Sequence, residues 1–215
     1  MIKQVEDILR DVRVCLDQNE ADNALISNGD EETLMLDDII RSKILESVDS
    51  VHLAAPYWML EQGHNLRATI HWEPMECGYT LLPDDFLRLV VFEMSDWERP
   101  VHEAISTLSP EYKLQRSRIK ALRGTAQRPV CAIGAKPFGK VLEFYSCKTT
   151  NATVSRAVYI PIAEIDANDG VDISEQCYAA VVYTVAAATL TTMGETQQAA
   201  ALVEQANNLL QIAKQ

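Results

Sequence analysis

The hydrophobic pattern changes its period twice along this 215-residue chain, and these changes limit the folds that it can adopt. In residues 2–16 and 36–52, apolar side chains recur every three or four positions, which is typical of amphipathic helices. From about Arg67 the period is two, which indicates strands, and the helical spacing returns after Ser174, a predicted helix cap. The pattern predicts an α+β protein whose helical ends enclose a β-rich middle.

One helical domain is predicted from residues 1–66 and 172–215 together. Its first helix is expected to begin at Ile2, whose side chain falls on the apolar face. Two antiparallel C-terminal helices follow, separated by Gly194, and their alanine-rich faces allow close packing into a bundle. The last helix is expected to bury Ala199, Leu202, Val203, Ala206, Leu209, Leu210 and Ile212.

A mainly antiparallel β domain is predicted between these helices, over residues 67–171. A short helix is expected after Ser109 and Pro110, because serine caps helices and proline suits their first turn. Seven aromatic residues between Tyr57 and Trp97 are assigned to the core, with interface anchors as the alternative. Residues 76–79 are expected to form a turn and the start of a strand. The other strands are expected near residues 67–73, 83–94, 128–133, 140–145 and 154–162.

The charge is distributed unevenly along the chain. Residues 1–50 contain 13 acids and 5 bases, whereas residues 111–160 contain 2 acids and 10 bases. The whole chain has a net charge of −12, so bulk charge does not favour binding to nucleic acid or to anionic lipid. The basic band at 111–160 is compatible with two kinds of local contact, with a phosphate group or with an acidic partner.

A phosphate-binding loop is suggested and then excluded by its context. Residues 134–140, GAKPFGK, match the GxxxxGK skeleton. The motif needs serine or threonine next and then a helix, but Val141 follows and opens an apolar stretch typical of a strand. We therefore predict a hairpin turn here.

Metal and catalytic motifs are incomplete in the sequence. His71-Trp72-Glu73 resembles half of a zinc deaminase signature, but Cys131 lacks the partner cysteine of the other half. The four histidines lack metal-ligand spacing, and the five cysteines contain no CxxC pair. We expect no metal, no cofactor, no catalytic residue and no enzymatic activity.

Membrane and secretory signals are also not expected. The longest apolar stretch, 179–193, is shorter than the ~18 residues of a membrane span and is interpreted as a buried helix. The first residues are amphipathic and acidic, unlike the basic start and apolar block of a signal peptide.

A set of residues between positions 82 and 130 forms a recognisable block. It consists of residues 82–89, Met94, Trp97, 99–101, 109–112, Gln115 and 128–130. This block resembles one in proteins of tailed bacteriophages and prophages of gut bacteria, including crAss-like phages. The wider architecture, over about residues 34–212, is similar to podoviral head–tail connectors of the tail tubular protein A family.

The resemblance implies a structural subunit of a connector ring, usually of twelve copies, that joins the portal to the tail and surrounds the DNA channel. Its implied partners are further copies, the portal protein and adjacent tail-ring proteins, without catalysis, cofactor or membrane. Packaged DNA would pass through without sequence-specific binding during genome ejection. The chain would be made in the host cytoplasm and reside at the head–tail junction of the virion. The alternatives are another virion tail-ring or cargo protein and an uncharacterised enzyme.

The acidic and basic segments suggest how neighbouring subunits of such a ring would meet. Charge reversal at Arg116, Arg118 and Arg123 is expected to weaken assembly. The loop over residues 18–32 matches no motif of the family. The interface residues proposed from the sequence are Trp97, Arg99, Lys113, Arg116, Arg118, Lys120, Arg123 and Arg128.

Overall fold

The structure, a computed structural model, describes residues 1–16, 35–60, 63–117 and 119–212, without the side chains of Lys120 and Ile212. The chain divides into a helical unit, Met1–Leu60 with Ile162–Gln215, and a β unit, Glu61–Pro161. The sequence had predicted boundaries after residues 66 and 171. The mixed α+β class, with two packed C-terminal helices and a central β insertion, is confirmed. The loop at 18–32 lies outside the described residues.

The described helices and strands follow one another in this chain order. They are β1 (Ile2–Gln4), α1 (Val5–Cys15), α2 (Leu36–Ala54), β2 (His64–Asn65), β3 (His71–Glu73), β4 (Cys77–Leu81), β5 (Phe86–Met94), β6 (Ile105–Ser106), α3 (Pro110–Gln115), β7 (Cys131–Lys136), β8 (Gly139–Phe144), β9 (Val154–Pro161), β10 (Gly170–Asp172), α4 (Tyr178–Met193) and α5 (Thr196–Ile212).

Helix α4 is the centre of the helical unit, where it packs against α1, α2 and α5. Its sixteen residues carry no charge, so it can be surrounded without burying an ion. Gly194 ends it at a φ of +89°, a left-handed conformation that glycine adopts without steric cost. The predicted break between the two C-terminal helices is thus confirmed.

Three predictions for the helical unit are wrong in detail. Ile2 is exposed, because residues 2–4 pair with β10 as a strand and the first helix begins only at Val5. On α5, Val203 and Leu209 are exposed, because the helix packs along a narrower stripe than its sequence suggested. Ser174 precedes a short 3₁₀ turn rather than capping α4, and its hydroxyl donates to the Met59 carbonyl.

A buried histidine lies near the end of α2. The His52 side chain is buried, and its Nε2 accepts the backbone N–H of Ser174 at 3.3 Å. Burial lowers the pKa of this imidazole to about 4, while the nearby Asp172 carboxylate raises that pKa and the N-terminal ammonium lowers it further. His52 is therefore neutral in the folded protein at neutral pH.

We expect this histidine to make the helical unit acid-sensitive. Its folded pKa lies below its unfolded value, so the unfolded chain binds the extra proton first as the pH falls from about 6.5 to about 4. The free energy of unfolding falls by at most about 3 kcal/mol through this group. It falls no further once the pH is below the folded pKa, because His52 is then protonated in both states. Urea unfolding between about pH 7 and pH 4 would test this against His52→Gln, which can accept the Ser174 amide without titrating. If the free energy of unfolding falls equally with pH in the unchanged chain and in His52→Gln, the expectation is wrong.

The β unit contains two sheets, with strand orders β2-β9-β5 and β3-β4-β8-β7-β6. All described pairs are antiparallel except β6 with β7, which is parallel. Phe92 of β5 stacks on Phe144 of β8 with ring centroids 5.8 Å apart, and Leu142 and Met94 join them in the core. This core connects the three-stranded sheet to the five-stranded sheet.

Two predictions about the strands have different outcomes. The strand expected from Arg67 is a ladder only at His71–Glu73, although Ala68, Ile70 and Trp72 do pack against the core in alternation. The hairpin expected at 134–140 is confirmed, because Lys136 pairs with Gly139 and Gly134 pairs with Val141 inside the ladder. The GxxxxGK sequence is therefore part of two strands and their turn.

Candidate interaction surface

Helix α3 and the turn after it lie on the outer side of the five-stranded sheet, within the basic band. The Ser109 hydroxyl accepts the backbone N–H of Glu111 at 3.3 Å, and Pro110 occupies the first turn, as the sequence predicted. Tyr112 of this helix packs against Tyr145 and Ala132 of the sheet region. We refer to residues 108–122 as the basic segment.

A buried carboxylate holds the basic segment on the sheet. Glu143 of β8 is 6% exposed, and its Oε2 accepts the hydroxyls of Tyr112, at 2.8 Å, and of Tyr145. Burial first, and then the hydrogen bond to Glu143, raise the pKa of Tyr145 far above its usual range. Tyr145 therefore stays protonated as a donor to this carboxylate.

Arg116 completes this cluster from the solvent side. Its Nη2 donates to the Tyr112 hydroxyl at 3.0 Å and lies 3.8 Å from Glu143 Oε1. Its guanidinium carbon also lies 5.4 Å from the centroid of the Tyr112 ring, within the range of a cation–π contact. Arg116 keeps most of its side chain exposed, so it can still contact a partner.

A second anchor fixes the end of α3. Gln115 is buried, its Nε2 donates to the Glu111 carbonyl at 3.1 Å and its Oε1 accepts the Gly124 N–H at 2.7 Å. A Cβ at position 124 would lie 2.4 Å from the Ser146 hydroxyl, so only glycine allows this close approach. Helix α3 is therefore tied to the rest of the β unit at Tyr112 and at Gln115.

The basic segment exposes both aliphatic and basic side chains. Leu108 is 92% exposed and Ile119 is 61% exposed, and Leu114 and Leu122 are also exposed. Lys113 of α3 and Arg116, the residue after α3, are also exposed. Sequence reasoning found the basic side chains by their charge but missed the aliphatic ones, because their spacing fits neither a helix nor a strand.

The other residues proposed for an interface are spread over the β unit. Arg99 and Arg128 are exposed, like Lys113 and Arg116. Lys120 begins a short 3₁₀ turn, with its side chain outside the described part. Arg118 lies outside the described residues altogether.

Trp97 is a core residue rather than a surface residue. It is 7% exposed, and its ring lies 5.8 Å from the Phe92 ring and 6.5 Å from the Phe144 ring, between centroids. Burial of a large apolar ring in this position stabilises the β unit. Trp97 therefore does not present its ring to a partner, which corrects its placement among the interface residues.

Arg123 is also turned inward. Only 7% of its side chain is exposed, its Nη1 donates to the Met75 carbonyl at 3.1 Å, and its Nη2 lies 3.5 Å from the Glu76 carboxylate. Met75 and Glu76 have φ angles of 69° and 57°, a left-handed conformation that costs energy for these residue types. Arg123 thus holds the β3–β4 turn, and reversing its charge would disturb this turn rather than test an interface.

The buried thiols of the β unit are not set up as nucleophiles. Burial raises the pKa of Cys147 to about 12, with the Asp96 carboxylate adding to the shift, and burial raises that of Cys131 as well. In the part of the chain that the structure describes, no three His, Cys, Asp or Glu side chains cluster as a metal site would require.

Across residues 1–16, 35–60, 63–117 and 119–212, none of the helices is both long and apolar enough to span a bilayer. No protein-family profile matches the chain, and no curated protein matches it in sequence.

Proposed function

We propose that this chain is a structural subunit of a phage head-to-tail connector ring, which joins the portal to the tail and surrounds the DNA channel. The observation that carries the proposal is the organisation of the chain. Both chain ends build one helical unit, and a β unit is inserted between them. This is the arrangement of the connectors that the sequence resembles.

The block of resemblance at 82–130 also has a definite structural task. It contains β5, which contributes to the core, and α3, which is part of the basic segment. Ser109 and Pro110 begin α3, while Tyr112 and Gln115 fasten it to the sheet. The residues of the block therefore build and display one exposed surface, which suits a protein whose activity is assembly.

The charges of the two units suit contacts between neighbouring copies. The helical unit contains 20 acids and 6 bases, and the β unit contains 11 acids and 13 bases. A head-to-tail ring brings different surfaces of neighbouring subunits together, so unlike charges on the two units favour it. An acidic channel wall would also let DNA pass without binding.

Assembly of the purified full-length chain tests this proposal. We expect native mass spectrometry and negative-stain microscopy to show a closed ring, alone or with the portal protein of the same phage. Twelve copies of the 24.0-kDa chain would weigh about 290 kDa. A ring that binds other tail proteins but not the portal would favour the tail-ring alternative. A monomer under both conditions would contradict the proposal.

A further inference from the structure

The basic segment combines two properties that seldom coincide on a surface without a partner. Leu108, Leu114, Ile119 and Leu122 are exposed within fifteen residues, beside the exposed Lys113 and Arg116. Exposed aliphatic side chains scattered singly are ordinary, but several in one short segment are typical of an interaction site. This segment is therefore the strongest candidate for a contact surface among the described residues.

The aliphatic content favours protein over nucleic acid as the partner. Surfaces that bind DNA backbone are wet, polar and strongly basic, because their main contacts are with phosphate oxygens. Protein interfaces instead bury apolar anchors in their centre, and arginine is enriched around them. Leu108, with 92% of its surface exposed, would gain nothing from a phosphate but much from an apolar contact.

The charge of the partner surface is set by the basic side chains. They require an acidic surface, and the helical unit of this same chain has a net charge of −14, against +2 for the β unit. The helical unit also exposes aliphatic side chains, such as Val14 and Met35, that could meet those of the basic segment. A second copy of the chain therefore offers both required chemistries.

We infer that the basic segment, residues 108–122, docks onto the acidic helical unit of a second copy of this chain. Leu108 and Ile119 supply the apolar contacts, and Lys113 and Arg116 supply the charge contacts. This contact would join neighbouring subunits in the proposed ring, so the inference rests on the proposed function. The contact itself requires only two copies of the chain.

The anchoring of the segment makes such docking more favourable. Glu143 holds Tyr112 and Arg116 from one side, and Gln115 ties the end of α3 to Gly124. A segment that already has its bound shape loses less conformational entropy when a partner binds. Helix α3 and Arg116, which carry the basic side chains of the inferred contact, are thus held in place before a partner binds.

Charge insertion at the apolar contacts gives the first test, on the full-length chain. Leu108→Glu and Ile119→Glu are expected to weaken self-association at least about tenfold in sedimentation velocity, because each places a carboxylate against an acidic surface. Phe138→Glu is the matched control, since Phe138 is 57% exposed on the same unit, at the β7–β8 turn. Circular dichroism should show all three variants folded. Equal weakening by all three variants, or by none, would overturn the inference.

Isotope-resolved cross-linking gives the second test and needs no variant. Oligomers mixed from ¹⁴N- and ¹⁵N-labelled chains are treated with a carbodiimide, which joins lysine amines directly to carboxylates. We expect Lys113 to form mixed-isotope cross-links to carboxylates in residues 1–60 or 162–215. Cross-links of Lys113 only within one chain, or only to the β unit of another copy, would overturn the inference.

The possible outcomes separate this inference from the proposed ring. A dimer or open chain that Leu108→Glu dissociates would support the inference and contradict the ring. A ring that forms equally well with Leu108→Glu would contradict the inference alone. A monomer at every concentration, both alone and with the portal protein, would contradict the inference and the ring. A gel mobility-shift assay with double-stranded DNA tests the remaining partner. If Lys113→Glu abolishes the shift while assembly is unchanged, the basic segment binds DNA rather than a second copy, and the inference fails.

Discussion

Replacing Glu143 with alanine is expected to lower the free energy of unfolding of the β unit by about 3 kcal/mol. The change removes the acceptor of two tyrosine hydroxyls and leaves a cavity beside them. Tyr145 is buried, so water cannot easily replace the lost bond at its hydroxyl. An unsatisfied buried donor costs more than the net gain from a typical hydrogen bond, which is why a large effect is expected.

The loss can be measured by urea unfolding, followed by the fluorescence of Trp72 and Trp97 in the β unit. Tyr145→Phe is the matched control, because it removes one donor but leaves Glu143 with Tyr112 and Arg116. Glu143→Leu combined with Tyr145→Phe should recover part of the loss, since neither partner is then left unsatisfied. A loss below about 1 kcal/mol for Glu143→Ala would show that the cluster contributes little. Because the cluster holds α3, we also expect weaker self-association of Glu143→Ala.

A methyl group at Gly78 is expected to cost about 2–3 kcal/mol through overpacking of the core. Gly78 of β4 lies opposite Phe144, and a Cβ at this position would be 2.6 Å from Phe144 Cζ and 2.9 Å from the His71 carbonyl oxygen. Trp72 pairs with Gly78 in the β3–β4 ladder, so the backbone cannot easily withdraw. The Phe144 ring would have to move, and its packing partners with it.

Gly134→Ala is the matched control in the same sheet. A Cβ at position 134 would meet the Glu143 and Thr107 side chains at 3.6 Å, an ordinary contact distance. The free energy of unfolding of Gly134→Ala, measured by thermal unfolding, should differ from that of the unchanged chain by less than about 0.5 kcal/mol. In a Phe144→Leu background, Gly78→Ala should cost less, because the smaller side chain leaves room for the methyl group. Equal costs at positions 78 and 134 would contradict the overpacking account.

The elements that the sequence predicted well carry their own local signals. Ser109 caps the start of α3, with Pro110 in its first turn, and Gly194 caps the end of α4. Residue types of this kind indicate helix ends from the sequence alone. The β7–β8 hairpin follows from a short turn between two apolar stretches. In each case the deciding interactions lie within a few residues of one another.

The features that the sequence did not predict depend on contacts between residues far apart in the chain. Ile2 pairs with Asp172, and this pairing converts the expected start of a helix into a strand. Arg123 bonds to the Met75 carbonyl, 48 residues earlier, so its charge alone could not show that it is buried. Tyr112 and Glu143 are 31 residues apart, and nothing near either of them indicates the pair. The charges of the surface were thus predictable, and the cluster that shapes it was not.

The insertion of the β unit into the helical unit sets an order of events during translation. Residues 61–161 are contiguous, so the β unit can complete its ladders as soon as this stretch leaves the ribosome. Helices α1 and α2 cannot complete their packing until α4 has been synthesised, more than a hundred residues later, which takes roughly ten seconds at ordinary translation rates. The basic segment is therefore displayed before the acidic surface proposed to receive it exists. A nascent subunit therefore cannot receive the basic segment of another copy until its own α4 has been synthesised.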